Sequence, residues 1–377
     1  NDLANLIAKK NGAVIMNKKV TIPDIVTEPP KSPAEERMAW PEDKSLRAIY
    51  LGGRDALGSW EGTLDHLQAR DMNAVILDGK AYMGELTYPS KVDVAVRTNA
   101  IAGAPIHDLS RTIRFAHKRG VRVVMRISCF HDPFSAEKAP DLSVKGKWGG
   151  PYPIGWLDPG SDKAQKYIFD LVEEEIALGA DEINLDYVRY PDDSKCYCDG
   201  CRARLEAGLG RKVGAWPRDV LRGGPDRDAY QEFRRASITR LVKAVSEEAR
   251  RRRPGIRVSA AVFPNWPQCR DDIGQDWARW VADGLLDFVC PMDYTASNGS
   301  FRSRVRVQRD AVGGRIPFYP GVGASAPGLP VDQVIDQIRI AREEKAPGFI
   351  IFNFDGVVAE RYLGTLALGT TDRRDGP

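Results

Sequence analysis

Long apolar runs are missing from this sequence: no stretch of eighteen consecutive apolar residues occurs, which excludes an ordinary membrane-spanning helix. An excess of one charge is missing too, because 55 basic residues are balanced by 52 acidic ones. The net charge of +3 therefore gives no reason to expect nucleic acid as a partner. The GxSxG motif of an α/β-hydrolase is absent, and the four histidines form no HExxH zinc motif.

The chain is long enough for one large domain or two smaller ones. Its 377 residues are 42% hydrophobic, which is ample for a sizeable core. It begins at Asn1 rather than at Met, so we expect that an upstream segment was removed, either a signal peptide or an anchor. A trimmed chain fits this start equally well. Six cysteines permit export, and we expect an exported protein, either extracellular or in the cell envelope.

The two ends of the chain differ from its middle. Residues 1–45 lack a sustained hydrophobic period and contain five prolines, which predicts an extended arm. Residues 46–368 carry regular alternating patterns, and we expect one barrel domain there. Residues 369–377 are polar and predict a flexible tail.

Eight short apolar runs alternate with helical patterns along the middle of the chain. Helix-like stretches at 161–178, 229–253 and 331–345 repeat apolar residues every three or four positions, as a helix covering a sheet does. Eight such units with continuous apolar strands predict an α/β fold, a (β/α)8 TIM barrel rather than an open doubly wound sheet. The strand-like runs are 47–53, 74–80, 121–130, 182–190, 257–265, 288–294, 317–325 and 348–355.

Polar and aromatic side chains collect where the predicted strands end. In such a barrel the active site lies at the carboxyl ends of the strands. Carboxylates, an arginine and several aromatic rings on one rim suit a sugar site, because two carboxylates can supply the acid and the nucleophile or base. The predicted substrate-binding residues are Asp78, Lys80, Glu85, Arg126, His131, Asp132, Arg189, Tyr190, Phe263, Trp266, Tyr294, Asn353 and Asp355.

Asp186 is the strongest single candidate for catalysis. Side chains alternate along a strand, so Asn184 and Asp186 should face into the barrel, while Leu185 and Tyr187 should face the helices. A carboxylate on the buried face must be paired or functional, and Arg126 late in the neighbouring strand is the expected partner. A purely structural ion pair is the alternative to a catalytic role.

Asp293 is the second predicted catalytic residue, with the role of acid/base. In PMDY, Met292 and Tyr294 share one face, so Asp293 leans away from the pocket unless the strand bulges or has already ended.

Three further carboxylates are candidates near the same rim. Asp78 shares a strand face with Lys80, and an ion pair between them is the alternative to a role in the site. Glu85 and Asp132 fall in loops over the rim and could serve in place of Asp293.

Seven segments carry a family resemblance in the right order over residues 46–365: LDGKAYMGELTYPS, RISCFHDP, GWLDPGSDKAQKYI, GADEINLDYVRYP, VSAAVFPNW, DDIGQDW and CPMDY. They resemble the bacterial putative glycoside hydrolase domain family of glycosyl-hydrolase-like barrels. The resemblance implies a barrel similar in architecture to the α-amylase and α-galactosidase types. In those types the nucleophile is an Asp at the end of strand four, where Asp186 lies. The α-galactosidase acid/base is an Asp on strand six, the strand of Asp293, but family members more often have an apolar residue within PMxY.

The motif CYCDGC places Cys196, Cys198 and Cys201 in the loop after the fourth strand. A zinc site needs four ligands, usually with two to four residues between paired cysteines, but C-x-C is cramped and no fourth Cys or His is near. We therefore expect no metal and no cofactor, with a loop disulfide or free thiols instead. Asp158 in GWLDPGS precedes a predicted helix, and either it or Ser161 is expected to cap that helix.

Together these patterns predict a glycoside hydrolase that cleaves a polysaccharide or oligosaccharide with retention, using Asp186 as nucleophile. One alternative is a non-catalytic carbohydrate-binding barrel, which would keep the rings and Arg126 but lack a second carboxylate facing Asp186. Another is a phosphosugar enzyme using the glycines of GVGASA (321–326), although three prolines crowd that segment. The sugar, the linkage and the oligomeric state stay open.

Overall fold

The computed structural model describes residues 38, 40–41, 44–51, 60–147, 150, 155–354 and 363–366. Most of the predicted arm and all of the predicted tail lie outside the described residues. Within the described part, eight strands form one parallel sheet: Arg47–Leu51 (β1), Ala74–Lys80 (β2), Arg122–Ser128 (β3), Glu182–Asp186 (β4), Arg257–Val262 (β5), Phe288–Pro291 (β6), Gly321–Val322 (β7) and Phe349–Ile351 (β8).

Helices fill the connections between consecutive strands, as the sequence patterns predict. Among the described residues, no helix is both long enough and apolar enough to span a bilayer. The α-helices are Trp60–Gln68 (α1), Asp93–Thr98 (α2), Leu109–His117 (α3), Pro133–Lys138 (α4), Asp162–Ala177 (α5), Asp199–Leu209 (α6), Arg227–Arg252 (α7), Gln268–Asp272 (α8), Trp277–Ala282 (α9), Asn298–Val312 (α10), Val331–Glu343 (α11) and Leu363–Leu366 (α12).

The sheet curls into a barrel whose strand order is β6-β5-β4-β3-β2-β1-β8-β7. The gap between the two end strands is narrowed by a parallel bridge between Val289 of β6 and Phe318, just before β7. There, Tyr319 donates its backbone N–H to the carbonyl of Val289 at 2.9 Å. The predicted (β/α)8 barrel is therefore confirmed.

Two apolar cores lie on the two faces of the sheet. Side chains alternate along each strand, so Ala48 and Tyr50 of β1 pack inside the barrel while Ile49 and Leu51 pack against the outer helices. The inner core is small and rich in aromatic rings, whereas the outer core continues around the barrel. Because strands of a parallel barrel are buried on both faces, the strands appear in the sequence as continuous apolar runs.

Some helices begin at a side chain that accepts a backbone N–H group. Ser161 caps α5 by accepting from the N–H of Ala164 at 3.5 Å, so Ser161 rather than Asp158 is the cap of this helix. Asp108 caps α3 in the same way, with the N–H of Arg111 at 2.9 Å.

Candidate active site

Arg126 of β3 lies at the mouth of the barrel between two carboxylates. Its Nε and Nη2 donate to Oδ2 of Asp186 at 2.8 and 2.7 Å, and its Nη1 donates to Oδ1 of Asp78 at 2.5 Å. The hydroxyl of Tyr50 donates to the other oxygen of Asp78 at 2.7 Å. The planar fork of an arginine can bind two carboxylates in this way, whereas a lysine offers only a point charge. The predicted partnership of Asp186 with Arg126 is present.

Burial sets the proton affinities in this group. Burial raises the pKa of Asp78, and the charge of Arg126 only partly opposes the rise. Burial alone would lower the pKa of Arg126, but the charges of Asp78 and Asp186 raise it well above its ordinary value. Arg126 therefore stays a cation that stabilises negative charge at the mouth.

The chain turns sharply after Asp186, which is the last residue of β4. Tyr187 has a φ of 47°, a left-handed conformation that is uncommon for a residue with a large side chain and ends the strand. The N–H of Tyr187 donates to Oδ1 of Asp186 at 2.6 Å, so both carboxylate oxygens have donors. Asp186 faces into the barrel with Asn184, as predicted, while Leu185 packs in the outer core.

A small central cavity of about 40 Å³ opens at the carboxyl ends of the strands. Three stacked rings form one wall: Phe352 lies between Tyr50, at 5.0 Å between centroids, and Tyr294, at 4.8 Å. A mostly apolar lining with a few converging polar groups is typical of a small-molecule site. The lining residues are Tyr50, Ile76, Arg126, Asn184, Asp186, Ala261, Cys290, Pro291, Met292, Tyr294, Gly321, Ile350 and Phe352.

An aromatic cluster stands beside this cavity, above β3 to β5. Tyr187 stacks on the ring of His131 at 4.9 Å and meets Trp156 edge to face at 5.8 Å. The guanidinium of Arg189 lies 4.8 Å from the ring centre of Trp156 and 4.8 Å from that of Phe263. The structure therefore brings the predicted residues His131, Arg189 and Phe263 together. Burial lowers the pKa of His131, whose Nδ1 donates to the carbonyl of Tyr82.

A second depression, the outer groove, lies on the other side of Tyr50 and Phe352. The predicted residues Asp78, Glu85 and Asn353 line it, together with the exposed ring of Tyr82. The backbone folds back in a tight turn here, in which Ala81 donates its N–H to the carbonyl of Glu85 at 2.8 Å. Within the described residues, the carboxylate of Glu85 has no ion-pair partner.

Two predicted site residues, Lys80 and Asp132, lie away from both openings. A register shift between Asp78 and Lys80 turns Lys80 to the outer face, where it pairs with Asp132 at 2.9 Å. Both side chains are fully buried, and Asp132 also caps α4 through the N–H of Ser135 at 2.7 Å. The alternation that placed Asp78 and Lys80 on one face is broken by this β-bulge, so no ion pair joins them. Their contacts are structural.

Tyr190, Trp266 and Asp355 are the remaining predicted binding residues. Tyr190 is fully buried beneath Arg234, whose guanidinium lies 4.5 Å from the ring centre, so it is not part of the rim. Trp266 packs on Trp277 at 5.1 Å and lines neither the cavity nor the outer groove. Asp355 lies outside the described residues.

Asp293 points out of the barrel. Its Oδ1 accepts from Nε2 of Gln308 on α10 at 2.6 Å, and its side chain is fully buried behind β6. Burial raises its pKa to about 7, although the hydrogen bond from Gln308 opposes the rise. Met292 and Tyr294 line the cavity instead, because the alternation that the sequence indicated continues for three residues after β6 ends at Pro291. The structure therefore does not bring Asp293 to Asp186.

The glycine-rich segment 321–326 forms part of the cavity wall through Gly321 and does not form a phosphate-binding loop. A Cβ on Gly321 would lie 2.9 Å from the carbonyl oxygen of Pro291 and 3.0 Å from Cε1 of Tyr294. Gly321 thus allows β7 to pack closely on the end of β6. The helical turn that follows, Ala324–Gly328, has five residues and contains Pro327, so it offers no helix of useful length for binding an anion.

The three cysteines of CYCDGC meet a fourth side chain that the sequence does not place near them. Asp158 brings its carboxylate into the group, and one ligand atom from each of the four residues lies within 4.8 Å of the others. No fourth Cys or His lies near the three cysteines in sequence, but Asp158, from a different loop, lies close to them in the fold.

Three residues of the mouth were not predicted as site residues: Tyr50, Tyr187 and Phe352. Tyr50 and Phe352 follow from alternation, since each lies two positions after an inward-facing residue, Ala48 or Ile350. Tyr187 was expected to face the helices, but the turn after Asp186 redirects it toward His131. Nothing in a periodic pattern reveals such a turn.

Comparisons with known proteins give one family match and many structural ones. The family described as "Putative glycosyl hydrolase domain" matches residues 48–307. No curated protein matches the chain.

Among solved structures, an α-L-fucosidase isoenzyme 2 from Paenibacillus thiaminolyticus is similar at 16% identity and a TM-score of 0.61, covering 86% of this chain and 49% of that one. A β-galactosidase from Bacillus circulans sp. alkalophilus has 14% identity and a TM-score of 0.58, covering 82% and 51%. A polyextremophilic β-galactosidase from Halorubrum lacusprofundi has 14% identity and a TM-score of 0.61, covering 83% and 53%. The chain thus spans about half the length of these three structures. At such identities the likeness establishes the barrel fold.

Proposed function

Because the chain belongs to the family described as "Putative glycosyl hydrolase domain", we propose that it is a glycoside hydrolase with Asp186 as its nucleophile. The observation that carries this proposal is the position of Asp186, on the cavity wall at the carboxyl end of β4 and bonded to Arg126. Active sites of such barrels lie at this end. The stacked rings of Tyr50, Phe352 and Tyr294 give the cavity an apolar wall against which a sugar can pack.

The chemistry needs an anionic carboxylate next to the sugar carbon. Nε and Nη2 of Arg126 donate to one carboxylate oxygen of Asp186, and the N–H of Tyr187 orients the second oxygen. Asp186 keeps a small exposed fraction, 8%, whereas Asp78 is exposed by only 2%. Asp78 thus holds Arg126 in place from behind, and Asp186 presents its charge to the cavity.

The acid/base must carry a proton and exchange it with water. Asp293 was the predicted acid/base, but its carboxyl group faces Gln308, and the wall of β6 separates it from the cavity. We propose Glu85 for this role, because it lines the outer groove, which Tyr50 and Phe352 separate from the cavity of Asp186, and holds no ion pair among the described residues. A long side chain on a loop can swing toward a glycosidic oxygen when the substrate binds.

Substitution of the two carboxylates tests the proposal on a panel of aryl glycosides and polysaccharides. Asp186→Asn should lower kcat by at least about 10³-fold, because no covalent glycosyl intermediate can form. Glu85→Gln should lower kcat by about 10²–10⁴-fold, and more for poor leaving groups, which need the proton most. Asp170→Asn on the surface of α5 is the matched control and should keep full activity.

The stereochemistry of the first product tests the retaining mechanism that we propose. Proton NMR of the anomer released early in the reaction should show retention, since a nucleophilic Asp186 inverts the centre twice. An inverted product would show that Asp186 is not a covalent nucleophile. Cleavage by Asp186→Asn at the wild-type rate would show the same.

A non-catalytic carbohydrate-binding barrel is the second candidate. One observation favours it: Arg126 binds Asp78 and Asp186 together, as it would in a purely structural ion cluster. This function predicts that the wild-type protein cleaves none of the panel yet binds oligosaccharides, and that Asp186→Asn changes only the affinity. A glycan array read alongside the activity panel separates the two candidates.

A further inference from the structure

Asp158, Cys196, Cys198 and Cys201 form what we call the Cys/Asp cluster, on the outside of the barrel beside the aromatic cluster. Asp158 precedes α5, and the three cysteines belong to the loop after β4 and the first turn of α6. Three of the four side chains are buried and that of Cys198 is partly exposed. Two loops that are separate in sequence thus converge on one small volume with three sulfurs and a carboxylate.

The distances within the cluster match those of a four-coordinate metal site. Oδ2 of Asp158 lies 3.4 Å from Sγ of Cys198 and 3.2 Å from Sγ of Cys201, and all four ligand atoms lie within 4.8 Å of one another. In a tetrahedral zinc site with Zn–S of about 2.3 Å and Zn–O of about 2.1 Å, neighbouring ligand atoms are about 3.6–3.8 Å apart. One ion at the centre could therefore reach every ligand after small adjustments.

Backbone donors point at the sulfurs in the way that metal-bound thiolates require. The N–H of Lys145 lies 3.2 Å from Sγ of Cys196, and the N–H of Cys201 lies 3.2 Å from Sγ of Cys198. A thiolate accepts hydrogen bonds better than a thiol does, and such outer contacts orient and stabilise metal ligands. The hydroxyl of Tyr230 donates to the carbonyl of Cys196 and fixes the loop from behind.

The carboxylate has its own supports. The N–H of Gly160 donates to Oδ1 of Asp158 at 2.9 Å, and Nη2 of Arg204 lies 3.9 Å from Oδ2. Gly160 also keeps the space clear, because a Cβ there would lie 2.9 Å from Sγ of Cys201. Arg204 supplies a positive charge next to a site whose ligands, when deprotonated, carry more negative charge than a divalent ion can neutralise.

We propose that the Cys/Asp cluster binds one Zn²⁺ ion through three thiolates and one carboxylate. Zinc is favoured because it takes sulfur and oxygen ligands in tetrahedral geometry and closes structural sites with four protein ligands. A carboxylate buried among sulfurs is costly, and a central cation lowers that cost. The cramped C-x-C spacing does not prevent this, because the fourth ligand comes from another loop.

The position of the ion explains what it does. Trp156, which packs on Arg189 and His131, lies two residues before Asp158, and Arg189 lies in the same loop as Cys196. The ion therefore ties together the two loops that carry the aromatic cluster. None of its four ligands lines the central cavity, so the role is structural and does not depend on the proposed hydrolase activity.

Metal analysis of the full chain, purified under reducing conditions without added metal, is the first test. Native mass spectrometry and elemental analysis should find one Zn²⁺ per chain. After chelation, titration with Co²⁺ should give sulfur-to-cobalt charge-transfer bands and the intense visible bands of tetrahedral cobalt, and Zn²⁺ should displace them. Protein without metal as purified, together with no cobalt spectrum, would overturn the proposal.

Variants assign the ligands. Cys198→Ser and Asp158→Asn should each weaken Zn²⁺ binding by at least about 100-fold, while Cys269→Ser, a buried cysteine elsewhere, should leave it unchanged. Chelation should lower the Tm of the wild type and of Cys269→Ser, but not that of the ligand variants. Equal metal content in all variants would overturn the assignment.

A count of free thiols in the wild-type protein distinguishes a metal site from a disulfide. This test does not depend on whether the variants fold. Denaturation without reductant, in the presence of chelator, should expose all six thiols. Two missing thiols, mapped by mass spectrometry to Cys196, Cys198 or Cys201, would mean a loop disulfide and would overturn the proposal.

Discussion

Asp293 shows how a single buried carboxyl group can link stability to pH. Its Oδ1 accepts from Gln308, but its Oδ2 has no hydrogen-bond partner among the described residues. Burial raises its pKa to about 7, above the value of about 3.9 expected in the unfolded chain. Between these values the folded protein keeps a proton that the unfolded chain has lost. The folded state therefore loses stability as the pH rises from about 4 to about 7.

Asp293→Asn removes this titration and should stabilise the protein more at pH 8 than at pH 5. The difference between the two pH values should reach up to about 3 kcal/mol, because the amide cannot ionise. Urea unfolding of both proteins at the two pH values measures it. Asp93→Asn on the exposed face of α2 is the control, with an effect below about 0.5 kcal/mol throughout. An equal effect of Asp293→Asn at both pH values would contradict the pKa shift.

Arg126 illustrates why the residue type matters as much as its charge. Three of its nitrogens donate to Asp78 and Asp186, and its guanidinium lies 5.1 Å from the ring centre of Tyr50. A lysine in this place could not satisfy two buried carboxylates at once. The sequence predicted the pair with Asp186, but Asp78 as a second partner depends on the register of β2 against β3.

Strand ends decide which predicted residues reach the mouth of the barrel. The predicted fourth strand ran to residue 190, but β4 ends at Asp186, and the following residues form a loop. The bulge in β2 likewise moves Lys80 to the outer core. Each of these features comes from its own local backbone change, which the two-residue alternation of a strand does not predict. Lys80 and Tyr187, which follow these changes, therefore lie on a different face from the one that alternation predicted.

Gly321 lies where β7 packs closely on its neighbours, whereas Gly208 faces open space. Gly321→Ala should destabilise the protein by about 1–3 kcal/mol, because its Cβ would press on Pro291 and on the ring of Tyr294. Gly208→Ala is the matched control on the exposed side of α6, where a Cβ meets nothing within 4 Å. It should stabilise by about 0.5–1 kcal/mol through helix propensity.

Urea unfolding of the two alanine variants against wild type checks both signs. Gly321→Ala should also lower the affinity for any ligand that contacts Tyr294, because the added Cβ forces that ring to shift. Equal effects of the two substitutions would show that β7 does not pack as tightly as the structure indicates.

The barrel as a whole is closed at its amino-terminal end by a residue from before β1. Trp40 packs on Phe288 at 5.3 Å and on Tyr319 at 6.3 Å, inside the base of the barrel. The guanidinium groups of Arg122 and Arg257 lie 5.0 and 4.4 Å from its ring centre. Contacts of this kind add cation–π attraction to apolar burial. Part of the predicted arm thus completes the core.

Trp40→Ala should cost about 2–4 kcal/mol, because it leaves a hole beneath two arginines. Trp40→Phe keeps a ring there and should cost less than half as much. Thermal or urea unfolding measures both. A loss below about 0.5 kcal/mol for Trp40→Ala would show that the segment before β1 does not close the base in solution.

The sequence by itself determined the barrel, since eight apolar runs separated by helical periods leave few other ways to bury both faces of a sheet. It also determined that Asp186 faces inward and meets Arg126, because alternation holds as far as the strand continues. Only the tertiary structure decided the other relations. The turn after Asp186 and the bulge before Lys80 break a local period. The contact of Asp158 with the three cysteines joins positions far apart in sequence. Physical contacts of that kind depend on how loops close, and no repeating pattern of residues records them.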